Sequence, residues 1–76
     1  LELGIELDQV AYIGDDINDL GIMREVGFSA CPKSAPVYIQ EVADVVLTKN
    51  GGEGVFREFV EGILGAERLT EIISGL

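Results

Sequence analysis

The spacing of hydrophobic and polar positions changes several times along this chain, and each change marks an expected element. "QVAYIG" (9–14) is a short apolar run of β-formers ending at a glycine, which predicts a strand. Helical spacing follows, with Ile17, Leu20, Met23 and Val26 on one face and Gly27 closing the helix. "FSAC" (28–31) predicts a second short strand. "PKSAP" (32–36) then turns the chain, with Ser34 as the expected N-cap and Pro36 in the first turn of a helix running to about Ala43.

"DVVLT" (44–48) is the third expected strand, and its unbroken apolar centre suits a strand covered on both faces. After the loop "KNGGEG" (49–54), Val55, Phe56, Phe59, Val60, Ile63 and Leu64 recur at helical spacing, opposite Arg57, Glu58 and Glu61. Past a break at Gly65, Leu69, Ile72, Ile73 and Leu76 continue the same pattern as a fourth helix. Three strands alternating with four helices predict a parallel sheet in a Rossmann-like, three-layer α/β/α unit. So few strands leave an open edge. The opening "LELGIEL" reads as the tail of an amphipathic helix and has no initiator Met. Both features lead us to expect that residues 1–76 form one partial domain whose remaining strands lie upstream.

At 76 residues the chain makes at most one small domain, and a domain of that size buries only about 60% of its unfolded surface. Fourteen acidic residues against five basic ones leave a net charge of −9, a field that repels nucleic acid and anionic membranes. Neither is expected as a partner, whereas a metal cation is compatible. No apolar run approaches the roughly 20 residues of a membrane helix, and the start lacks the pattern of a signal peptide. A lone Cys31 makes no internal disulfide and is most simply a small buried hydrophobe, and the absence of histidine rules out the usual Cys/His zinc site. The expected compartment is the cytoplasm.

Charge becomes informative at "YIGDDINDL" (12–20), where Asp15, Asp16, Asn18 and Asp19 crowd the junction of the first strand and helix. One Asp or Asn there would cap the helix and complement its dipole, a contribution of about 1 kcal/mol. Three carboxylates within about one turn repel one another unless a cation sits among them. In open parallel sheets ligands bind beyond the carboxyl ends of the strands, which is where this cluster falls. Oxygen-only donors select a hard cation, and Mg²⁺ characteristically combines one or two carboxylates with water and a substrate phosphate.

"YIGDDINDLGIM" resembles the fourth motif of the haloacid dehalogenase superfamily, a strand ending in GD with ND a few residues later. Its continuation through "GGEGVFRE" (51–58) is similar to the end of the sugar-acid phosphatases that act on 8- or 9-phosphorylated 3-deoxy-ulosonates. Within that group the form here looks nearest to the 2-keto-3-deoxynononate 9-phosphate phosphatases, with the 3-deoxy-octulosonate 8-phosphate phosphatases next. The resemblance covers essentially the whole chain and implies the C-terminal part of a Mg²⁺-dependent phosphatase for a phosphorylated sugar acid, tetrameric in the family.

Residue by residue, the resemblance implies that Asp15 is the Mg²⁺ ligand and that Asn18 approaches the phosphoryl group. Asp16 and Asp19 would complete the metal site, holding its water or the family's motif lysine, and Gly14 would keep bulk away from the metal. The family's nucleophile comes from a DxDG strand, and no such sequence occurs here. Its phosphate-binding Thr/Ser strand and the lysine before the fourth motif are also missing, Lys33 and Lys49 both lying downstream of it. The chain alone is therefore expected to be inactive, since turnover in the family passes through an aspartyl-phosphate.

Arg57 has two readings, toward an anionic substrate or neighbouring subunit, or in a surface ion pair with Glu53, Glu58 or Glu61. Glycines 51, 52 and 54 read as a plain loop or as a phosphate-cradling nest. Phe56 and Phe59 read as core or subunit contact. The rival classes are a non-catalytic phosphatase-like domain behind an acylneuraminate cytidylyltransferase, and a receiver-like phosphoacceptor. The latter is disfavoured by the "ND" continuation and by the lack of a separate phosphorylated Asp strand with its lysine.

Overall fold

The computed structural model describes residues 6–51, 54–63 and 65–76. The opening stretch 1–5, Gly52, Glu53 and Leu64, which entered the readings above, lie outside the described residues. A 3₁₀ turn at Leu7–Gln9 leads into β1 (Val10–Ile13). A second 3₁₀ turn, Ile17–Asp19, opens into α1 (Leu20–Glu25), followed by β2 (Phe28–Cys31), α2 (Val37–Val42), β3 (Val45–Val46), α3 (Val55–Ile63) and β4 (Glu71–Ser74).

The sheet order is β3-β2-β1-β4 and every pairing is parallel. Ala11 stands opposite Phe28 on one side of β1 and Ile72 on the other. With a neighbour on each side and helices above and below, all four β1 residues are buried, which is why this run carries no polar alternation. Its odd and even positions still serve different layers. Val10 and Tyr12 pack with Met23, Cys31, Ala35 and Ile39 beneath α1 and α2. Ala11 and Ile13 pack with Ala30, Leu47, Val55, Phe59 and Ile63 beneath α3. The chain thus lays α1 and α2 on one face while it steps outward from β1, then crosses with α3 on the other face to return beside β1 as β4. The reversal falls at β1.

The parallel α/β architecture stands as expected, with three local corrections. The last segment is a strand, because Gly65 adopts a positive φ of 89° that ends the helical run. Beyond it the β-branched Ile72 and Ile73 alternate, Ile73 toward the layer of Tyr12 and Ile72 toward Val60, Ile63 and Leu69. The described sheet therefore has four strands. The third strand is a two-residue edge with Val45 and Val46 39% and 42% exposed. Asp44 shortens it: its Oδ2 accepts the Ser29 N–H at 2.8 Å, taking a ladder donor, while its own N–H donates to Ser29 Oγ at 3.1 Å. Ser34 also does other work than capping, accepting the Gly51 N–H at 3.1 Å, and α2 begins directly after Pro36.

The loop after β3 is held by Glu58, whose carboxylate accepts the Thr48 N–H, the Thr48 hydroxyl and the Lys49 N–H at 2.9–3.1 Å. The Thr48 amide chiefly, with the Thr48 hydroxyl and Lys49, holds the Glu58 carboxyl below its usual pKa. A depressed carboxylate stabilises the fold above its unfolded pKa and loses that contribution as pH falls through the folded value. Hydrogen exchange should therefore show Thr48 and Lys49 amides losing protection as pH drops below about 4.5, and Glu58→Gln should weaken them at neutral pH. Equal protection in the variant across that range would show that the clamp is idle.

Candidate functional site

The acidic residues sit where β1 ends and the helices change faces, the position at which doubly wound sheets present ligands. The site starts from Asp19. This residue is buried, 6% exposed, although it closes a surface turn. Its Oδ1 accepts the Tyr12 hydroxyl at 2.5 Å, and its Oδ2 accepts the N–H groups of Asp15 and Asp16 at 3.0 Å each. One side chain thus ties the end of β1 to the start of the turn, and the carbonyl of Asp16 accepts the Asp19 N–H at 2.8 Å to close it. Charged acceptors make the stronger bonds of this kind.

Gly14 owes its place to the same carboxylate. A Cβ there would lie 2.7 Å from Asp19 Cβ, Cγ and Oδ2, so any larger residue would displace the brace. The bulk excluded at Gly14 is thus directed at Asp19 within the described residues. Gly75, beyond β4, lies against the brace from the far side: its N–H donates to the Ile13 carbonyl at 2.8 Å, and a Cβ would collide with the Tyr12 hydroxyl and Asp19.

With Asp19 turned inward, Asp15 is half-buried at the strand end and Asp16, Ile17 and Asn18 are exposed. The sequence brings all four polar residues to one turn, while Arg57 stands apart, exposed in the first turns of α3. Tyr12 and Gly75 are residues of this turn that periodicity passes over: a tyrosine in an apolar run reads as core, and Gly75 as a chain-end glycine. Burial, then the hydrogen bond and charge of Asp19, push the Tyr12 hydroxyl up to about 12, so it remains a donor at neutral pH. Burial pushes the Cys31 thiol up, and the nearby Asp15 charge adds to this. The thiol is a core group, as expected from its burial.

The donor chemistry of the turn is all oxygen. Among the described residues no group of three or more His, Cys, Asp or Glu side chains is arranged to hold a metal ion. Oxygen donors are the kind a hard cation takes, and a cation at this turn would need the rest of its coordination from water, phosphate or another segment.

Fold and turn together define a doubly wound α/β protein with a braced acidic loop at its switch point. The haloacid dehalogenase-like hydrolase profile matches residues 1–59, and the chain belongs to that family. It is similar to the 3-deoxy-D-manno-octulosonate 8-phosphate phosphatase of Haemophilus influenzae, 41% identical over 66 residues, or 87% of this chain and 37% of the relative. The structure of a cobalt-bound deoxy-D-mannose-octulosonate 8-phosphate phosphatase from Haemophilus influenzae superposes with a TM-score of 0.79, 41% identity, and coverage of 87% of this chain and 39% of that one. N-acylneuraminate cytidylyltransferase B of Danio rerio is 39% identical over 61 residues, 80% of this chain but 14% of the relative. The chain thus spans little more than a third of the two phosphatase chains.

Proposed function

We propose that this chain is the C-terminal part of a Mg²⁺-dependent phosphatase for a phosphorylated 3-deoxy-ulosonic acid, contributing the metal-binding turn and not the nucleophile. The single observation that carries this reading is the braced turn at the switch point, in which Asp19 faces inward while Asp15 stays half-buried and Asp16 exposed. Likeness to the octulosonate phosphatase, and the cobalt in its structural counterpart, support a divalent cation and a sugar-acid phosphate.

In this reading Asp15 and Asp16 supply carboxylate oxygen to the cation, and Asp19 contributes from behind through the backbone it holds. The cation would neutralise charge on the transferring phosphoryl group. Asn18, exposed on the same turn, offers an amide donor to a phosphoryl oxygen, and Arg57 remains the candidate for the substrate's carboxylate or a neighbouring subunit. The nucleophile that forms an aspartyl-phosphate belongs to a segment outside these 76 residues. A tetramer belongs to this reading as well, supported by apolar surface at Phe56 and Ile72, 47% and 41% exposed. Among the described residues no helix is long and apolar enough to cross a membrane.

A second reading, a phosphatase-like domain that serves assembly in a cytidylyltransferase, is favoured by the Danio rerio likeness. The two separate in one assay. Full-length protein given 8- and 9-phosphorylated 3-deoxy-ulosonates should release phosphate, lose the activity to a chelator and regain it with Mg²⁺. No release from either substrate in the presence of Mg²⁺ would favour the assembly role.

A further inference from the structure

Tyr12 is the one side chain of β1 whose polar end reaches the acidic turn. Its ring lies in the apolar layer with Val10, Met23, Cys31, Ala35 and Ile39, and the residue is 7% exposed. Its hydroxyl donates to Asp19 Oδ1, and the other oxygen of that carboxylate receives both amides of the turn. Gly75 closes over the pair, and no Cβ would fit between them.

We propose that Tyr12 is the positioning residue of the acidic turn, acting through Asp19 to fix the backbone of Asp15 and Asp16 at the end of β1. The inference rests, for its link to a cation, on the reading of Asp15 as ligand. Its physical basis is the division of labour within one carboxylate. A carboxylate can rotate about its terminal torsion, and a partner on Oδ1 narrows that rotation and keeps Oδ2 aimed at the two amides. Within the described residues the only side-chain donor to Oδ1 is the Tyr12 hydroxyl. Burial on three sides, by Gly14, the Tyr12 ring and Gly75, keeps water from substituting for it. The strand therefore sets the turn: the face-to-face alternation that sends Tyr12 toward α1 and α2 also aims its hydroxyl at Asp19.

Amide exchange of the ¹⁵N-labelled 76-residue chain, with and without Mg²⁺, tests this. The Gly14 amide, donated to the Ala30 carbonyl at 3.1 Å, serves as internal reference because it reports the β1–β2 ladder. In Tyr12→Phe the Asp15 and Asp16 amides should exchange about tenfold faster relative to Gly14, equivalent to about 1.4 kcal/mol. The Mg²⁺ concentration that half-shifts their resonances should rise several-fold. A tyrosine that merely filled the core would speed all three amides together and leave the ratio unchanged, and that outcome overturns the proposal. Tyr12→Met, which keeps an apolar side chain in the layer and likewise removes the hydroxyl, should give the same change in ratio. If Tyr12→Phe does not fold, an unchanged ratio in Tyr12→Met overturns the proposal by itself. The exchange ratio decides the role of Tyr12 and needs no metal. Wild-type resonances that ignore Mg²⁺ while the ratio still changes would support Tyr12 as the residue that fixes the turn and show that the 76 residues do not hold the cation without the phosphate or outside segment that completes its coordination.

Discussion

Phe59→Ala should unfold a large share of the population under conditions where Phe56→Ala leaves the chain folded. Phe59 is 1% exposed and stands at the centre of the layer formed by Ala11, Ile13, Ala30, Leu47, Val55 and Ile63. Its ring is stacked with Phe28 at a centroid distance of 6.4 Å and tilted against Phe56 at 6.3 Å. Removing a buried phenyl group costs about 3–5 kcal/mol, through lost transfer energy and the cavity left behind. A domain of this length is stable by only about 4–11 kcal/mol in all, so the loss takes about a quarter of the total or more. Phe56, nearly half exposed, should cost about 1 kcal/mol or less. Urea unfolding of both variants at one protein concentration checks this. Equal midpoints would mean that α3 is not anchored through Phe59.

The chain shows where sequence periodicity is decisive and where it is not. β1 and β2 are legible because an apolar run ended by a glycine or proline, with helical spacing on either side, has few other solutions. Phe59, Val55 and Ile63 are legible because α3 is long enough for one face to repeat. The C-terminal strand is not. Leu69, Ile72, Ile73 and Leu76 fit helical spacing over a window too short to reject alternation, and the deciding facts are the turn at Gly65 and the empty side of β1 that the segment fills. β3 misleads for a different reason: its composition is that of a covered strand, but Asp44 ends the ladder and leaves it at the edge.

The acidic turn could be located from residue types and their place at a strand end, and Asp15, Asp16 and Asn18 are all there. What the sequence leaves equal is the orientation of the carboxylates. Asp19 differs from Asp15 and Asp16 only because it lies one turn on, where it faces back toward Tyr12 and Gly14. That difference depends on which way β1 turns its side chains and on Gly75 arriving from the other end of the chain. Glu58 is a similar case: its partners, Thr48 and Lys49, lie ten and nine residues away and are set by the packing of α3.

Asp15 carries the largest expected effect on function. The substitution Asp15→Asn retains volume, and its backbone N–H can still donate to Asp19 Oδ2, so the turn should keep its shape. It removes one unit of negative charge from the end of β1, where the proposed cation would sit. Loss of a direct ligand should lower kcat/KM by about a thousandfold or more, about 4 kcal/mol of transition-state stabilisation. The fold should be unaffected, with an unchanged midpoint of urea unfolding. The measurement is steady-state hydrolysis of the 8- and 9-phosphorylated 3-deoxy-ulosonates by full-length wild-type and Asp15→Asn protein, across a Mg²⁺ titration. A Mg²⁺-dependent wild type beside a folded variant that stays at least about a thousandfold slower at saturating Mg²⁺ is the expected result. A variant within about tenfold of wild type would contradict the assignment of this turn as the metal site.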